Sequence, residues 1–165
     1  MIPERIQRLY REAVFKTCVQ GTRAGYLLGD VFTCAYTDNA GRHCAVGHAL
    51  TPEMQERNLF GGVWGLCSNH PYIAEHLGID PAKLNGHYAD KAGQDTVIHL
   101  WECLQAVHDR LLDEPSRAVA YKNYLRPWGV SWSAYFWYRA RSNAADFGFD
   151  IGNYPRREVQ DAQAA

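Results

Sequence analysis

Apolar positions recur at helical spacing in two segments of the chain. In residues 3–19 they return every three or four positions while charged side chains cover the other side, a pattern that predicts an amphipathic helix. Pro3 suits the first turn of this helix and Gly21 suits its end. Residues 95–113 give the clearest helical pattern. Their apolar stripe consists of Val97, Leu100, Trp101, Leu104, Val107 and Leu111.

The segment after the first helix follows a shorter period. Residues 30–36 partly alternate and are rich in β-branched and aromatic side chains, which favours a short strand, and the turn-forming sequence TDNAG comes next. The following stretch, RHCAVGHAL, fits either a returning strand or a helix that opens near Cys44. We expect a small β-hairpin near residues 31–45, packed on the helices.

Weaker signals divide the rest of the chain. Three glycines in residues 58–71 predict a loop, and a short helix is expected over residues 71–77. Residues 116–148 predict two helices separated near a proline and a glycine. The polar tail, residues 154–165, is expected to fray.

These elements predict an α+β fold that is mostly α. The 165 residues are enough for one domain with a substantial core, and 47% hydrophobic and 21% charged residues are ordinary for a globular protein. We therefore expect a helical single domain over residues 1–153. The aromatic share of 13% is high, and large rings serve both cores and binding surfaces.

Charge and cysteine usage limit the classes of protein to consider. The formal net charge of −1 gives no attraction to nucleic acid or to an anionic membrane, and no apolar run reaches the length of a membrane span. The charged start of the chain does not resemble a signal peptide. Five irregularly spaced cysteines argue against a disulfide framework. We expect a cytoplasmic protein with reduced thiols.

Cys44 is the first candidate for chemistry. At a helix start its sulfur would lie near unpaired N–H groups and the positive end of the helix dipole, which favours the thiolate. His87 is the candidate base, with Asp90 in the same segment. The outline is similar to cysteine hydrolases of the papain-like and cell-wall amidase kinds, although HYADKAG does not read as the apolar strand of those enzymes. The alternative is a cysteine packed as a small hydrophobic residue.

A metal site is the second candidate. Cys44 and His48 are four residues apart and Cys67 and His70 are three apart, so the two pairs would make a Cys2His2 zinc set if the fold joined them. Mixed pairs of this kind also arise by chance in a chain with five cysteines and seven histidines. We expect no cofactor, with zinc as the alternative.

Two further segments offer binding residues. His108 shares the apolar stripe of the long helix with Trp101, where it either lines a pocket or is a hydrogen-bonded core residue; His99 points away. Residues 124–141 interleave aromatic rings with arginines, a mixture that anchors protein partners when it is exposed and forms a core helix when it is not. The binding candidates in this segment are Arg126, Trp128, Trp132 and Arg139.

Two stretches, GRHCAVGHAL and HYADKAGQDTVIHLWECL, resemble a family of small bacterial and phage proteins of unknown function. In that family a Gly-Arg-x-Cys-Ala-x-Gly segment precedes a turn and a Thr-headed helix. The resemblance covers residues 5–112, with His48 and Ala89 departing from the pattern. The matching positions are Cys44, Gly47, Asp90 and Thr96. The resemblance implies a mostly helical fold and supplies no activity.

The pattern as a whole favours a small cytoplasmic interaction or regulatory protein, encoded by a phage or mobile element if the resemblance holds. Its partner would be a protein that binds the aromatic segment 124–138. The alternatives are a cysteine hydrolase or acyl-transfer enzyme built on Cys44 and His87, and a zinc-stabilised binding domain.

Overall fold

The structure of the protein, a computed structural model, is built mostly of helices. It describes residues 1–21, 26–28, 31–33, 35–57, 59–84, 96–113 and 131–165. The helices and strands in these ranges are α1 (Glu4–Gln20), β1 (Tyr26–Leu28), β2 (Val31–Thr33), α2 (Pro52–Gln55), α3 (Val63–Asn69), α4 (Pro71–His76), α5 (Thr96–Asp113), α6 (Trp132–Asp146) and α7 (Arg156–Ala164). Two 3-10 turns, Gly47–Ala49 and Pro81–Leu84, complete the order.

The two long helices that the apolar spacing predicts are confirmed. Helix α1 ends at Gly21, which adopts a left-handed conformation with φ of 66° and donates its N–H to the carbonyl oxygen of Thr17. In α5, Leu100, Trp101 and Leu104 are fully buried as the stripe predicts. Ile98, which lies off that stripe, is also fully buried, because α5 is covered on more than one side.

One hydrophobic core joins the beginning, the middle and the end of the described chain. Helix α6 packs against both α1 and α5, and α7 packs against α1. The largest rings in this core are Tyr10, Tyr36, Trp101, Phe136 and Trp137, each of them fully buried. Since all of these rings belong to one cluster, the expected helical domain is borne out for the described ranges.

Helices α1 and α6 are also joined by a buried polar contact. The Tyr10 hydroxyl donates to the carbonyl oxygen of Ala140 at 2.9 Å and accepts a hydrogen bond from the Asn143 side-chain amide, also at 2.9 Å. Burial raises the pKa of this phenol, so Tyr10 stays protonated and can donate. The Tyr10 hydroxyl thus gives the buried Ala140 carbonyl a hydrogen-bond donor and the buried Asn143 amide an acceptor.

Replacing Tyr10 with Phe should destabilise the fold by about 1–3 kcal/mol, because the Asn143 amide then loses its buried acceptor. Urea unfolding followed by circular dichroism measures the loss. Tyr138, on the exposed side of α6, provides the matched control. Tyr138→Phe should leave the free energy of unfolding unchanged, and equal losses for the two variants would show that the buried bonds contribute nothing.

The β-hairpin expected near residues 31–45 is wrong. Val31–Thr33 pairs antiparallel with Tyr26–Leu28, which precedes it, and the one bridge that joins two residues within the described range 35–45 is the isolated bridge between Thr37 and His43. Ala35 instead forms a bridge with Phe60. Turn chemistry at TDNAG did produce a chain reversal, but Cys44 then enters a helical turn, so no second strand forms in residues 35–45.

Two further expectations are corrected. Residues 63–69, predicted as part of a loop, form α3, because Val63 and Leu66 share a buried face and the exposed Gly65 is tolerated between them. The tail predicted to fray contains α7, which packs on α1 through the fully buried Val159. A second contact comes from Gln163, whose side-chain amide donates to the carbonyl oxygen of Cys18 in α1 at 3.1 Å.

None of the helices in the described ranges combines the length and apolar character that a membrane crossing requires.

Candidate functional site

The turn that leads into GRHCAVGHAL is held by Asp38. Its carboxylate accepts hydrogen bonds from the backbone N–H groups of Ala40 and Arg42 at 2.9 Å and from the Arg42 guanidinium at 2.7 Å. Burial by itself raises the pKa of Asp38, but these hydrogen bonds outweigh it and the pKa lies below its ordinary value. The carboxylate therefore stays ionised as a structural acceptor.

Cys44 lies at the start of a short helical turn and is fully buried. Its sulfur accepts the N–H of Gly47 at 3.2 Å, its own N–H donates to the Tyr36 carbonyl, and its carbonyl accepts the N–H of His48 at 3.0 Å. These contacts tie the thiol into the turn rather than present it to solvent. The proposed partners His87 and Asp90 lie outside the described residues, so the catalytic set stays a prediction.

Gly47 is required where the turn passes closest to the rest of the chain. A β-carbon at this position would overlap the carbonyl oxygen of Tyr36, the same oxygen that accepts the Cys44 N–H. The glycine in GRHCAVGHAL is thus explained by a close backbone approach.

Two histidines of this stretch lie side by side. The ring centres of His43 and His48 are 5.1 Å apart, and His43 is held by the Thr37 hydroxyl, 2.9 Å from its Nδ1. The Gln20 side chain from α1 binds both the N–H and the carbonyl of His43. His43 is therefore anchored to α1 through its backbone and to Thr37 through its ring.

His48 is the more buried of the two histidines, with 9% of its surface exposed. Its Nε2 atom has no hydrogen-bond partner among the described residues. Burial lowers the pKa of His48 to about 3, and the neighbouring His43, Lys16 and His108 lower it further in the same direction. The ring is neutral at physiological pH.

The four candidate zinc ligands do not come together. Cys44 and His48 lie in one turn, Cys67 is buried in α3 with a pKa that burial raises to about 12, and His70 packs against the edge of Tyr72. Within the described ranges no three histidine, cysteine or acidic side chains are placed to hold a metal ion. The described residues therefore contain no set of side chains that could bind the zinc ion of the alternative hypothesis.

Trp101 and His108, predicted to line a pocket or the core, are both fully buried. The Trp101 indole donates to the carbonyl oxygen of Leu77 at 3.0 Å. His108 Nδ1 lies 3.0 Å from the Asp109 carboxylate, and its ring meets Phe136 edge-on. Both side chains are placed as core residues with polar partners.

The aromatic segment expected to bind a partner is largely internal where it is described. Phe136 and Trp137 are fully buried, and Trp132 stacks on Phe136 with ring centres 5.3 Å apart. Tyr138 and Arg139 are exposed. Arg126 and Trp128 lie outside the described residues, so their role stays a prediction.

A cleft of about 430 Å³ opens between the outer side of α1 and the segment that carries α6 and α7. Its apolar surface comes mainly from Phe15 and Pro155, with the fully buried Trp137 beneath them. The charged residues around it are Arg8, Arg11, Glu12, Lys16 and Glu158.

The charges around this α1 cleft are available for a ligand. Arg8, Arg11 and Lys16 are exposed and form no ion pair with any residue in the described ranges. Residues 8, 11, 12, 15 and 16 recur at the spacing of one helix face. The sequence did not predict this cleft; the residue that could have marked it is Phe15, an aromatic ring on the side of α1 that the charges otherwise occupy.

No family model, curated protein or solved structure matches this chain. The resemblance to small bacterial and phage proteins therefore stays a prediction.

Proposed function

We propose that this protein is a small interaction protein and that the α1 cleft is its binding surface. The observation that carries the proposal is the combination of an apolar floor, Phe15 with Pro155, and three cations without ion-pair partners in the described chain. Aromatic and arginine side chains are enriched where proteins bind each other. The aromatic segment contributes through Trp137, which borders the cleft from below.

The occupant that fits is a segment of a partner protein with carboxylates on either side of an apolar side chain. The apolar side chain would enter the cleft, whose volume of about 430 Å³ suits a side chain rather than a folded surface. Arg8, Arg11 and Lys16 would face the carboxylates. Glu12 and Glu158 on the same rim would repel a segment that is acidic throughout. They therefore restrict the positions along the bound segment at which a carboxylate is tolerated.

The cytoplasm is the compartment that we propose for this interaction. None of the described cysteines, Cys18, Cys44, Cys67 and Cys103, forms a disulfide, which agrees with a reducing environment.

The test uses fluorescence anisotropy with a labelled probe peptide of sequence Glu-Glu-Leu-Phe-Glu-Glu. We expect saturable binding that weakens with salt, because exposed charges steer the contact. The double variant Arg8→Glu/Arg11→Glu should weaken binding by about tenfold or more, since two favourable charges become repulsive.

Arg139→Glu is the matched control, because Arg139 is also an exposed arginine but does not line the α1 cleft. This variant should bind the probe like the wild type. A probe with glutamine in place of glutamate should bind the wild type more weakly, because it lacks the carboxylates. Equal affinity for a probe with lysine in place of glutamate, or no effect of the double variant, would contradict the proposal.

A further inference from the structure

One turn of α5 brings together a thiol, an imidazole and a carboxylate. Cys103 Sγ lies 3.8 Å from Nε2 and 4.0 Å from Nδ1 of His99, and His99 Nδ1 lies 4.0 Å from the Glu102 carboxylate. The spacings of three and four residues place all three on one face of the helix. Nε2 is the ring nitrogen closer to the sulfur, and Nδ1 lies within 4.0 Å of Glu102.

The same thiol borders a cavity of about 230 Å³ between α5 and α6. Arg139 and Asp146, seven residues apart on α6, supply one positive and one negative charge to its lining, and Ser142 and Asn143 supply a hydroxyl and an amide. Neither charge forms an ion pair with another residue in the described ranges. A cation and an anion in one small cavity complement a zwitterion.

We propose that Cys103 is a thiolation site for small disulfides that carry amino-acid groups, with the cavity binding the α-carboxylate at Arg139 and the α-ammonium at Asp146. The other described thiols are less suited to this chemistry. Cys18, Cys44 and Cys67 are fully buried, whereas Cys103 is partly exposed. Cys18 in addition donates its S–H to the carbonyl of Ser133, and burial raises its pKa.

The reaction is an exchange in which electrons balance without another oxidant. His99 takes the proton of the Cys103 thiol, and the thiolate attacks one sulfur of the disulfide. A new sulfur–sulfur bond forms to Cys103 as the original bond breaks. The departing thiolate takes the proton from His99, so one disulfide and one thiol give one mixed disulfide and one thiol. Glu102 acts as a positioning residue for His99.

This site is separate from the α1 cleft, because its lining comes from α5 and the C-terminal half of α6 and the two sites share no lining residue. A negative result in the peptide-binding test would therefore not contradict the proposal for Cys103, and a negative result with cystine would not contradict peptide binding.

The experiment treats the reduced full chain with cystine and maps the adducts by mass spectrometry over time. We expect Cys103 to react at least about tenfold faster than Cys18, Cys44 and Cys67, because the thiolate and access to it set the rate. Faster reaction at Cys44 than at Cys103 would overturn the proposal.

Three variants separate the roles at the site. Arg139→Ala and Asp146→Ala should each slow the reaction with cystine several-fold while leaving the reaction with the uncharged hydroxyethyl disulfide unchanged. His99→Gln should slow both disulfides near neutral pH, with the wild-type rate approached at alkaline pH where hydroxide forms the thiolate. An unchanged ratio of cystine to hydroxyethyl disulfide rates in both α6 variants would show that the cavity recognises no zwitterion. An unchanged pH profile in His99→Gln would show that His99 does not act as the base.

Discussion

Replacing Gly47 with Ala is expected to destabilise the protein by about 3 kcal/mol or more, which is a large part of the stability of a typical domain. The added methyl group would overlap the carbonyl oxygen of Tyr36. That oxygen belongs to the backbone and accepts the N–H of Cys44, so it cannot move without breaking a buried hydrogen bond. The strain falls on the turn that buries Cys44 and His48.

Gly65→Ala is the control for this variant. Gly65 lies in α3, and apart from the backbone of its own helix no described atom lies within 4 Å of an added β-carbon, so alanine should be neutral or stabilise the helix by up to about 1 kcal/mol. Thermal unfolding of both variants measures the difference. If Gly47→Ala melted within a degree or two of the wild type, the close approach of the turn to Tyr36 would be disproved.

Acid should destabilise the protein through His48. The unfolded chain binds a proton at this ring near pH 6.5, whereas burial keeps the folded ring neutral down to a pKa of about 3. Between these values the unfolded state holds more protons, so stability is complete above about pH 6.5 and falls as the pH decreases. From about pH 7.5 to about pH 4.5 this ring alone removes roughly 2.5 kcal/mol.

Urea unfolding at a series of pH values measures this loss. His48→Leu should reduce by about one the number of protons taken up on unfolding between these pH values. Leucine fills much of the same space, and the Nε2 atom has no hydrogen bond to the described residues that the change would remove. His99→Gln is the control, because the His99 side chain is 57% exposed. A His48→Leu variant with the full acid sensitivity of the wild type would show that the loss arises at other groups.

The helices α1 and α5 could be predicted from the sequence because each repeats its apolar residues over four or more turns. The turn at residues 37–41 could also be predicted, because Asp38 supplies its own local hydrogen bonds. The conformation of the next stretch, GRHCAVGHAL, could not be predicted in this way. Whether it continues as a strand or as a helical turn depends on how closely its backbone approaches Tyr36. The only sign of this contact in the sequence is a glycine, Gly47.

The candidate sites show the same division between local and distant contacts. The His99 and Cys103 pair is visible in the sequence as a spacing of four on a predicted helix, but the cavity beside it depends on α6. The α1 cleft was not visible, because Phe15 and Pro155 are 140 residues apart in sequence and meet only after α7 has packed. Burial of Phe136 and Trp137 likewise depends on partners from other helices, so exposure could not be judged from aromatic content.

The hydroxyl of Tyr10 has a consequence for how the chain is made. Its partners Ala140 and Asn143 are 130 and 133 positions further along, so helix α1 leaves the ribosome long before the surface that covers its apolar face exists. During this interval α1 offers Ile6, Tyr10 and Val14 to solvent. Closing a loop of this length is entropically costly, and contacts of this separation form late. The apolar face of α1 is therefore covered only after α6 has been synthesised, and until then it is exposed surface of the kind through which folding intermediates associate.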